Sequence, residues 1–472
     1  MRFWLLVRTH PLSAVFFLAL VVRLINVGLL HGERAFFAEA DAVSYWAAGA
    51  ALAKGDRFWP TLASMIDRMP LYPLLLAAVR STFGDAPRAV ALIQAVMDAG
   101  TCTLSAALGA LISPLTGLIA GILAAVSAML IVLSSQILTD TLFLFFFTAM
   151  LLAGAYFVRC PVFALAVVAG VAGGLALLTR STIAPLLIAA VPLIFIVASL
   201  RWRSAVRALA AAILFAMAAV APVTPLLLRN AIEFGSLGLT TQSGDHLAFW
   251  IVPLVAQRAS GIPYETSVAR MTALCQQRLA ERGLNDQSNP FALASVKIEV
   301  AREELARLPP AAFVKAWIEG MAMNLAAPAL LADPRVRALP KPSFYHTPGT
   351  SLSERSRAYF FDHPGRYQAL LALGIAAMLP FLVLECIGFV LLARALPWAA
   401  VFAAGVLAYF LLLSGPVASP KYRLPMEPIL IVLAAIPLAR LGEGNLHAGD
   451  VRRGRKRPAT GKAYLMRSRM LT

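Results

Sequence analysis

Apolar runs long enough to cross about 30 Å of hydrocarbon recur along the chain, near residues 12–30, 89–112, 115–133, 139–157, 162–179, 182–199, 205–228, 369–393, 396–413 and 426–440. About ten such runs predict an all-α polytopic membrane protein. The boundary at SSQILTD, residues 134–140, is the least sharply marked. Two stretches break the pattern, 31–88 and 229–368. In the first, AEADAVSYWAAGAALAKG (38–55) places Asp41, Tyr45, Ala48 and Leu52 at helical spacing. This predicts an amphipathic helix lying along the membrane surface, headed by Glu39 and Asp41. In the second, SVARMTALCQQRLAERG and SVKIEVAREELARLPPAAFVKAWIEG carry helical periodicity with charges on the outward faces. Neither strand alternation nor a phosphate-binding glycine motif occurs there, so a small helical outer subdomain of roughly 100 residues is expected.

Composition narrows the class. With 60% hydrophobic and 14% charged residues in 472, the chain lies far from soluble domains, where about a quarter of residues are charged. The net charge of +17 does not imply nucleic acid, because the basic residues fall mainly between apolar runs, where they set topology. Placing Arg2 and Arg8 in the cytoplasm puts Arg159, Arg201, Arg203, Arg207, Arg394 and the tail RRGRKR (452–457) there too. Both termini are then cytoplasmic, and 31–88, 134–138, Thr179–Ser181, 229–368 and 414–425 lie outside. The organisation expected is a membrane module at 1–228, an outer helical segment at 229–368, further membrane helices at 369–440 and a basic tail at 441–472. The first apolar run reads as a retained signal-anchor: Ala38-Glu39-Ala40 matches a small-x-small cleavage pattern, but the run exceeds a signal core and the cut lies too far beyond it. Cys102, Cys160, Cys275 and Cys386 fit no metal or redox spacing, and the six histidines, among them His246, His346 and His363, show no ligand spacing. No metal, cofactor or disulfide framework is expected.

Charges supply the candidate chemistry. Arg23, Asp98 and Glu385 lie inside apolar runs, where an ionisable group needs a partner or a polar cavity. Arg23 and Asp98 stand at similar depth and are expected to pair. On the outer side lie Arg68, Arg180, Arg229, Lys421 and Arg423, each readable as an interfacial side chain or as an anion ligand. Arg180 and Arg423 oppose the positive-inside trend, which points to another use. Asp41 reads either as a helix N-cap or as a reactive carboxylate, and Glu39 as a solvated neighbour or a ligand. Asp140 either complements a helix N-terminus or belongs to a site. Pro70, Tyr72 and Pro73 shape a loop with an interfacial aromatic, and Asp245 and His246 are candidates for touching an acceptor.

An ordered set of motifs then carries a resemblance: DAVSYWAAGAALAKG, RMPLYPLLLA (68–77), LTDTLF (138–143), LLTR (177–180), LLLRNAIEFGSLG (226–238) and PKYRLPMEPIL (420–430). Together they resemble the GT-C fold glycosyltransferases of the family 39 type, the protein mannosyltransferase-like and aminoarabinose transferase-like enzymes. The resemblance covers most of the chain and is weakest in the outer segment. It implies a polytopic enzyme taking a sugar from a polyprenyl-phosphate donor on the outer face of a bacterial inner membrane, by metal-independent inversion. The family's catalytic carboxylate falls on Asp41, with Glu39 giving an ExD pattern where some relatives show DxD or DE. Glu39, Tyr45, Arg68, Tyr72, Asp140, Arg180, Arg229, Lys421 and Arg423 are the matching candidates for substrate binding.

The residue types fit that chemistry. Transfer to a hydroxyl needs a base, and a carboxylate beside a second carboxylate and an apolar surface is expected to have a raised pKa. A departing lipid monophosphate needs positive charge, which Arg and Lys supply. The acceptor, whether a glycan, a lipid or a protein, is left open, and the remaining partners are membrane lipids. Two rivals stand: a lipid or solute transporter, which commonly shows internal repeats not seen here, and a polysaccharide polymerase or ligase using a diphosphate donor.

Overall fold

The computed structural model describes residues 10–37, 40–55, 61, 64–340, 343–362 and 364–452. Glu39, His363 and most of the basic tail lie outside these. Among the described residues every regular element is helical. In chain order the principal helices are α1 (Pro11–Leu29), α2 (Ala40–Ala53), α3 (Leu71–Phe83), α4 (Pro87–Ala110), α5 (Pro114–Val126), α6 (Ala128–Ser134), α7 (Asp140–Arg159), α8 (Phe163–Leu177), α9 (Ala184–Trp202), α10 (Ala205–Val220) and α11 (Thr224–Phe234). They continue with α12 (Gln242–His246), α13 (Val252–Ser260), α14 (Tyr264–Glu281), α15 (Pro290–Arg307), α16 (Pro310–Ala326), α17 (Arg366–Ala395), α18 (Pro397–Ser414), α19 (Pro420–Arg423) and α20 (Glu427–Arg452).

Among the described residues eight helical stretches are long and apolar enough to cross a membrane, containing α1, α4, α7, α9, α10 with α11, α17, α18 and α19 with α20. The chain is an integral membrane protein. Proline at the first turns of α1, α4, α5, α15, α16 and α18 starts those helices where its missing N–H is no loss. The span Pro420–Glu443 is 83% buried inside the protein, against 17–56% for the others. It is the central post, packed on α4, α5 and α17.

Two of the ten apolar runs are not simple spans. The run at 115–133 is broken into α5 and α6, which meet at 50°. No proline or glycine stands at the break; instead Arg23 of α1 reaches across to it. Its Nη1 donates to the Ala125 carbonyl at 2.5 Å and its Nη2 to the Ala124 carbonyl at 3.0 Å, two of the last carbonyls of α5, of which Ala124 also accepts the Ser127 N–H at 3.3 Å. Its Nε donates to Asp98 Oδ2 at 2.7 Å. The expected Arg23–Asp98 pair is therefore present and also caps a helix end.

The run at 162–179 yields α8, only 15 residues and so roughly 22 Å long. It holds its place by close packing between α7 and α10. A Cβ on Gly170 would lie 2.5 Å from the Phe215 carbonyl, and one on Gly174 2.5 Å from the Ala219 carbonyl, the small-xxx-small contact that lets membrane helices touch backbone to backbone. Gly174→Val is accordingly expected to lower the melting temperature of the purified protein in detergent, at an overpacking cost of about 1–3 kcal/mol. An unchanged melting temperature would show that α8 and α10 can move apart.

The segment 134–138, expected on the outer side, is buried within the protein. Its backbone is served by side chains from elsewhere. Gln94 Nε2 donates to the carbonyls of Ser134 and Gln136 at 2.9 and 2.7 Å, the Ile137 N–H donates to the backbone carbonyl of Phe36 at 3.0 Å, and just before the segment Asn26 Nδ2 donates to the Ile131 carbonyl of α6 at 3.3 Å. A non-helical stretch survives burial only when its backbone groups are satisfied in this way.

In the segment 229–368 every regular element among the described residues is helical. α12 packs on α15, α13 on α14 and α16, and α14 on α15, around Ala248, Val252, Met271, Cys275, Val296 and Val300. Its outward charges pair across helices, as where Arg278 meets Glu299 and Glu303 at 2.8 and 2.9 Å.

Candidate active site

α2 begins at Ala40, so Asp41 stands in its first turn and Tyr45 one turn further along the same face. Tyr45 is nearly buried and meets the Tyr72 ring edge-on at 5.4 Å. Tyr72 opens α3 and is fully buried; its hydroxyl donates to Gln94 Oε1 at 2.8 Å. Tyr72 is thus the wall behind Tyr45, anchored to the same glutamine that serves the buried 134–138 stretch.

Two cations converge on Asp41 from distant parts of the chain. Arg68 Nη2 donates to Oδ1 at 3.0 Å and Lys421 Nζ to Oδ2 at 3.3 Å. The Arg68 guanidinium also lies 5.1 Å from the Tyr45 ring centre, a cation–π distance, and its Nε donates to Asp67 at 3.2 Å. A second pair lies beside this cluster. Arg180 Nη1 donates to Asp140 Oδ1 at 2.7 Å, and Asp140 is buried in the first turn of α7. The Leu71 N–H donates to the Leu178 carbonyl at 3.1 Å, which ties the loop bearing Arg68 to the turn bearing Arg180. Arg180 is also within electrostatic reach of Tyr45 and Tyr422.

The 229–368 segment reaches the cluster. The Thr241 N–H donates to the Ile66 carbonyl at 3.1 Å, and His246, part-buried at the end of α12, feels the charge of Lys421. Burial, and then Lys421, hold the His246 imidazole below its usual pKa, so it is neutral at pH 7. Asp245 is taken by Lys297 at 2.6 Å.

The expectation of a raised Asp41 pKa does not hold. Burial alone would raise it, but Lys421 and Arg68 outweigh burial and hold the carboxyl below the ordinary range. Among the described residues Asp67 shares Arg68 with Asp41; this neighbour was not singled out in the sequence. Burial pushes Tyr45 up, with Arg68 opposing in part, so its phenol stays protonated.

Two candidates make other contacts. Arg423 is 1% exposed and spends its fork on Glu427 and Glu385, each at 2.6 Å, and on the Leu325 carbonyl. It is an intramembrane strut joining α17, α20 and the end of α16, not a phosphate ligand. Arg229 turns its Nε and Nη2 onto Asn230 Oδ1 at 2.9 and 2.6 Å. Asn324 is a residue that periodicity did not reveal. Its Nδ2 donates to the Val417 carbonyl at 2.9 Å, and its Oδ1 accepts from the Ser419 N–H at 3.0 Å. A lone buried Asn in an apolar helix is the signal that marks it, and it fixes the turn that delivers Lys421. Among the described residues no three His, Cys, Asp or Glu side chains form a metal-binding group, and Cys102, Cys160, Cys275 and Cys386 are free thiols.

Comparison with known proteins gives one family. Residues 67–225 match the model of the dolichyl-phosphate-mannose-protein mannosyltransferases. Among solved structures, ArnT from Cupriavidus metallidurans bound to undecaprenyl phosphate is 16% identical, over 96% of this chain and 82% of that one, with a TM-score of 0.38. The apo form of the same protein is 16% identical over 91% and 78%, with a TM-score of 0.35. No curated protein matches. Residues 67–225 of this integral membrane protein carry the sequence pattern of the dolichyl-phosphate-mannose-protein mannosyltransferase family, in agreement with its resemblance to GT-C glycosyltransferases of the family 39 type.

Proposed function

We propose that this protein transfers a sugar from a polyprenyl-phosphate donor to an acceptor hydroxyl at the outer face of the membrane. The observation that carries this reading is the Asp41 carboxylate held between Arg68 and Lys421: a proton acceptor beside two cations suited to a monophosphate. The family matched by residues 67–225 is named for a dolichyl-phosphate donor, which supports the donor class. The outer face is supported by the arginines at the other ends of the spans, Arg159, Arg201, Arg203 and Arg394.

In the reaction the acceptor oxygen bonds to the anomeric carbon as the bond from that carbon to the phosphate oxygen breaks. The bonding pair leaves with the lipid phosphate, and the hydroxyl proton passes to Asp41. Attack from the face opposite the phosphate inverts the anomeric centre. Lys421 and Arg68 stabilise the charge that develops on the phosphate, and Arg180, positioned by Asp140, adds a third guanidinium or ammonium group to that side. A phosphate drawn to Lys421 and Arg68 takes up part of the positive charge that holds Asp41 down. The carboxylate thereby becomes more basic when the donor is in place.

Asp41 is ionised at neutral pH, and that form is lost only as pH falls through its depressed pKa. Lys421→Met removes one of the two lowering charges. It is expected to move the acid limb of the kcat profile upward and to reduce kcat by about 10²-fold; an acid limb that stays in place would separate Lys421 from Asp41 ionisation. Transfer by the purified protein in liposomes from a polyprenyl-monophosphate sugar, with polyprenyl-diphosphate sugar as competitor, tests the donor class. Competition by monophosphate alone supports the proposal. Turnover of the diphosphate would favour a polymerase or ligase, and lipid movement without transfer would favour a transporter.

A further inference from the structure

Helix α16 presents two unlike faces. One is bound into the outer segment: Glu319 accepts from Arg258 Nε at 3.2 Å and from the Leu352 N–H at 3.1 Å, and Lys315 Nζ donates to the Thr350 carbonyl at 2.9 Å. The other face is apolar and open. Phe313, Val314 and Ile318 are 38%, 56% and 57% exposed, and Phe313 stacks on Trp317 with ring centres 3.8 Å apart. With 17 residues including Lys315 and Glu319, the helix is not a membrane span.

Its position is fixed by the end of α18, a span. Trp317 Nε1 donates to the Leu412 carbonyl at 3.0 Å. A Cβ on Gly320 would fall 2.0 Å from the Gly415 carbonyl oxygen, so the two backbones touch. In that last turn of α18, Leu412 and Leu413 are 58% and 40% exposed on a surface that faces lipid. The open face of α16 therefore continues the lipid-facing surface of α18 past the end of the span. Its aromatic pair stands at the level where tryptophan collects in membrane proteins.

We infer that α16 lies in the headgroup layer of the outer leaflet, with Phe313, Val314, Trp317 and Ile318 set into the acyl boundary. The occupant of this face is the bilayer itself. The same helix carries Asn324 at its far end, so the turn that presents Lys421 is braced by an element seated on the membrane.

The test is site-directed spin labelling in vesicles of phosphatidylethanolamine with a minority of phosphatidylglycerol. Exposed Cys160 and Cys386 are first replaced by serine, leaving the buried Cys102 and Cys275. Nitroxides are then placed through Ile318→Cys and Val314→Cys. Gln276→Cys on α14 serves as the aqueous reference and the exposed mid-span Leu193→Cys on α9 as the hydrocarbon reference. Collision with oxygen and with a water-soluble nickel chelate is expected to place residues 314 and 318 between the two references, about 5–10 Å below the phosphate plane. Nickel accessibility equal to that at 276 would overturn the inference by leaving the face in water. Protection from both reagents would overturn it in favour of a second copy of the chain. Neither result depends on catalysis, so the outcome is independent of the proposed transferase activity.

Discussion

Arg23→Leu is expected to remove most of the folded protein, and Asp98→Ala to do so less completely. Arg23 and Asp98 are 0% and 1% exposed, and breaking a buried pair by deleting one partner costs about 3–5 kcal/mol. The asymmetry comes from what else each side chain does. Arg23 also donates to the carbonyls of Ala124, Ala125 and Ala19 and to Cys102 Sγ, so its loss strips the end of α5 as well as the pair. The swapped variant Arg23→Asp/Asp98→Arg restores opposite charges without those donors in their place. Monodisperse yield and melting temperature in detergent are expected to fall in the order wild type, Asp98→Ala, swapped pair, Arg23→Leu. Full recovery by the swap would mean that charge alone matters and the capping of α5 does not.

The pair itself was legible in the sequence because two intramembrane charges at one depth have few other ways to be satisfied. The cap was not, because a break in AAVSAML carries no proline or glycine and depends on an arginine 102 residues away. The short α8 reads as one more span until Gly170 and Gly174 are seen against the α10 backbone. At the site, Asp41, Tyr45, Arg68, Asp140, Arg180 and Lys421 stood out as polar residues gathered on one side of the membrane, and the fold brings them together. Arg423 was grouped with Lys421 for the same reason. Residues two apart on a helical turn do not share a face, so the turn that aims Lys421 at Asp41 sends Arg423 inward to Glu385 and Glu427. The depressed pKa of Asp41 could not be read locally, since its largest opposing charge, Lys421, comes from 380 residues further along the chain.

Asp41→Asn is expected to abolish turnover while leaving the donor bound. The amide keeps the size of the carboxylate but cannot accept the hydroxyl proton, and losing a positioned general base costs about 10²–10⁴-fold in rate. The cations respond in the opposite sense. Arg68 and Lys421 no longer share their charge with a carboxylate, so both are more available to a phosphate, and donor affinity is expected to hold or rise. Asp41→Ala would leave the same two cations together without even a hydrogen-bond acceptor, which makes the asparagine the cleaner variant. Loss of binding and turnover together would instead assign Asp41 to organising the cations.

The most direct measurement is sugar transfer in liposomes by wild type and Asp41→Asn side by side, over a panel of polyprenyl-phosphate sugars, with donor binding followed in parallel. The expected result is that wild type transfers at least one sugar and that Asp41→Asn binds that same donor without turning it over. Transfer by Asp41→Asn at the wild-type rate would contradict the role of Asp41, and a wild type that moves lipid or solute across the bilayer but transfers no sugar would contradict the transferase itself.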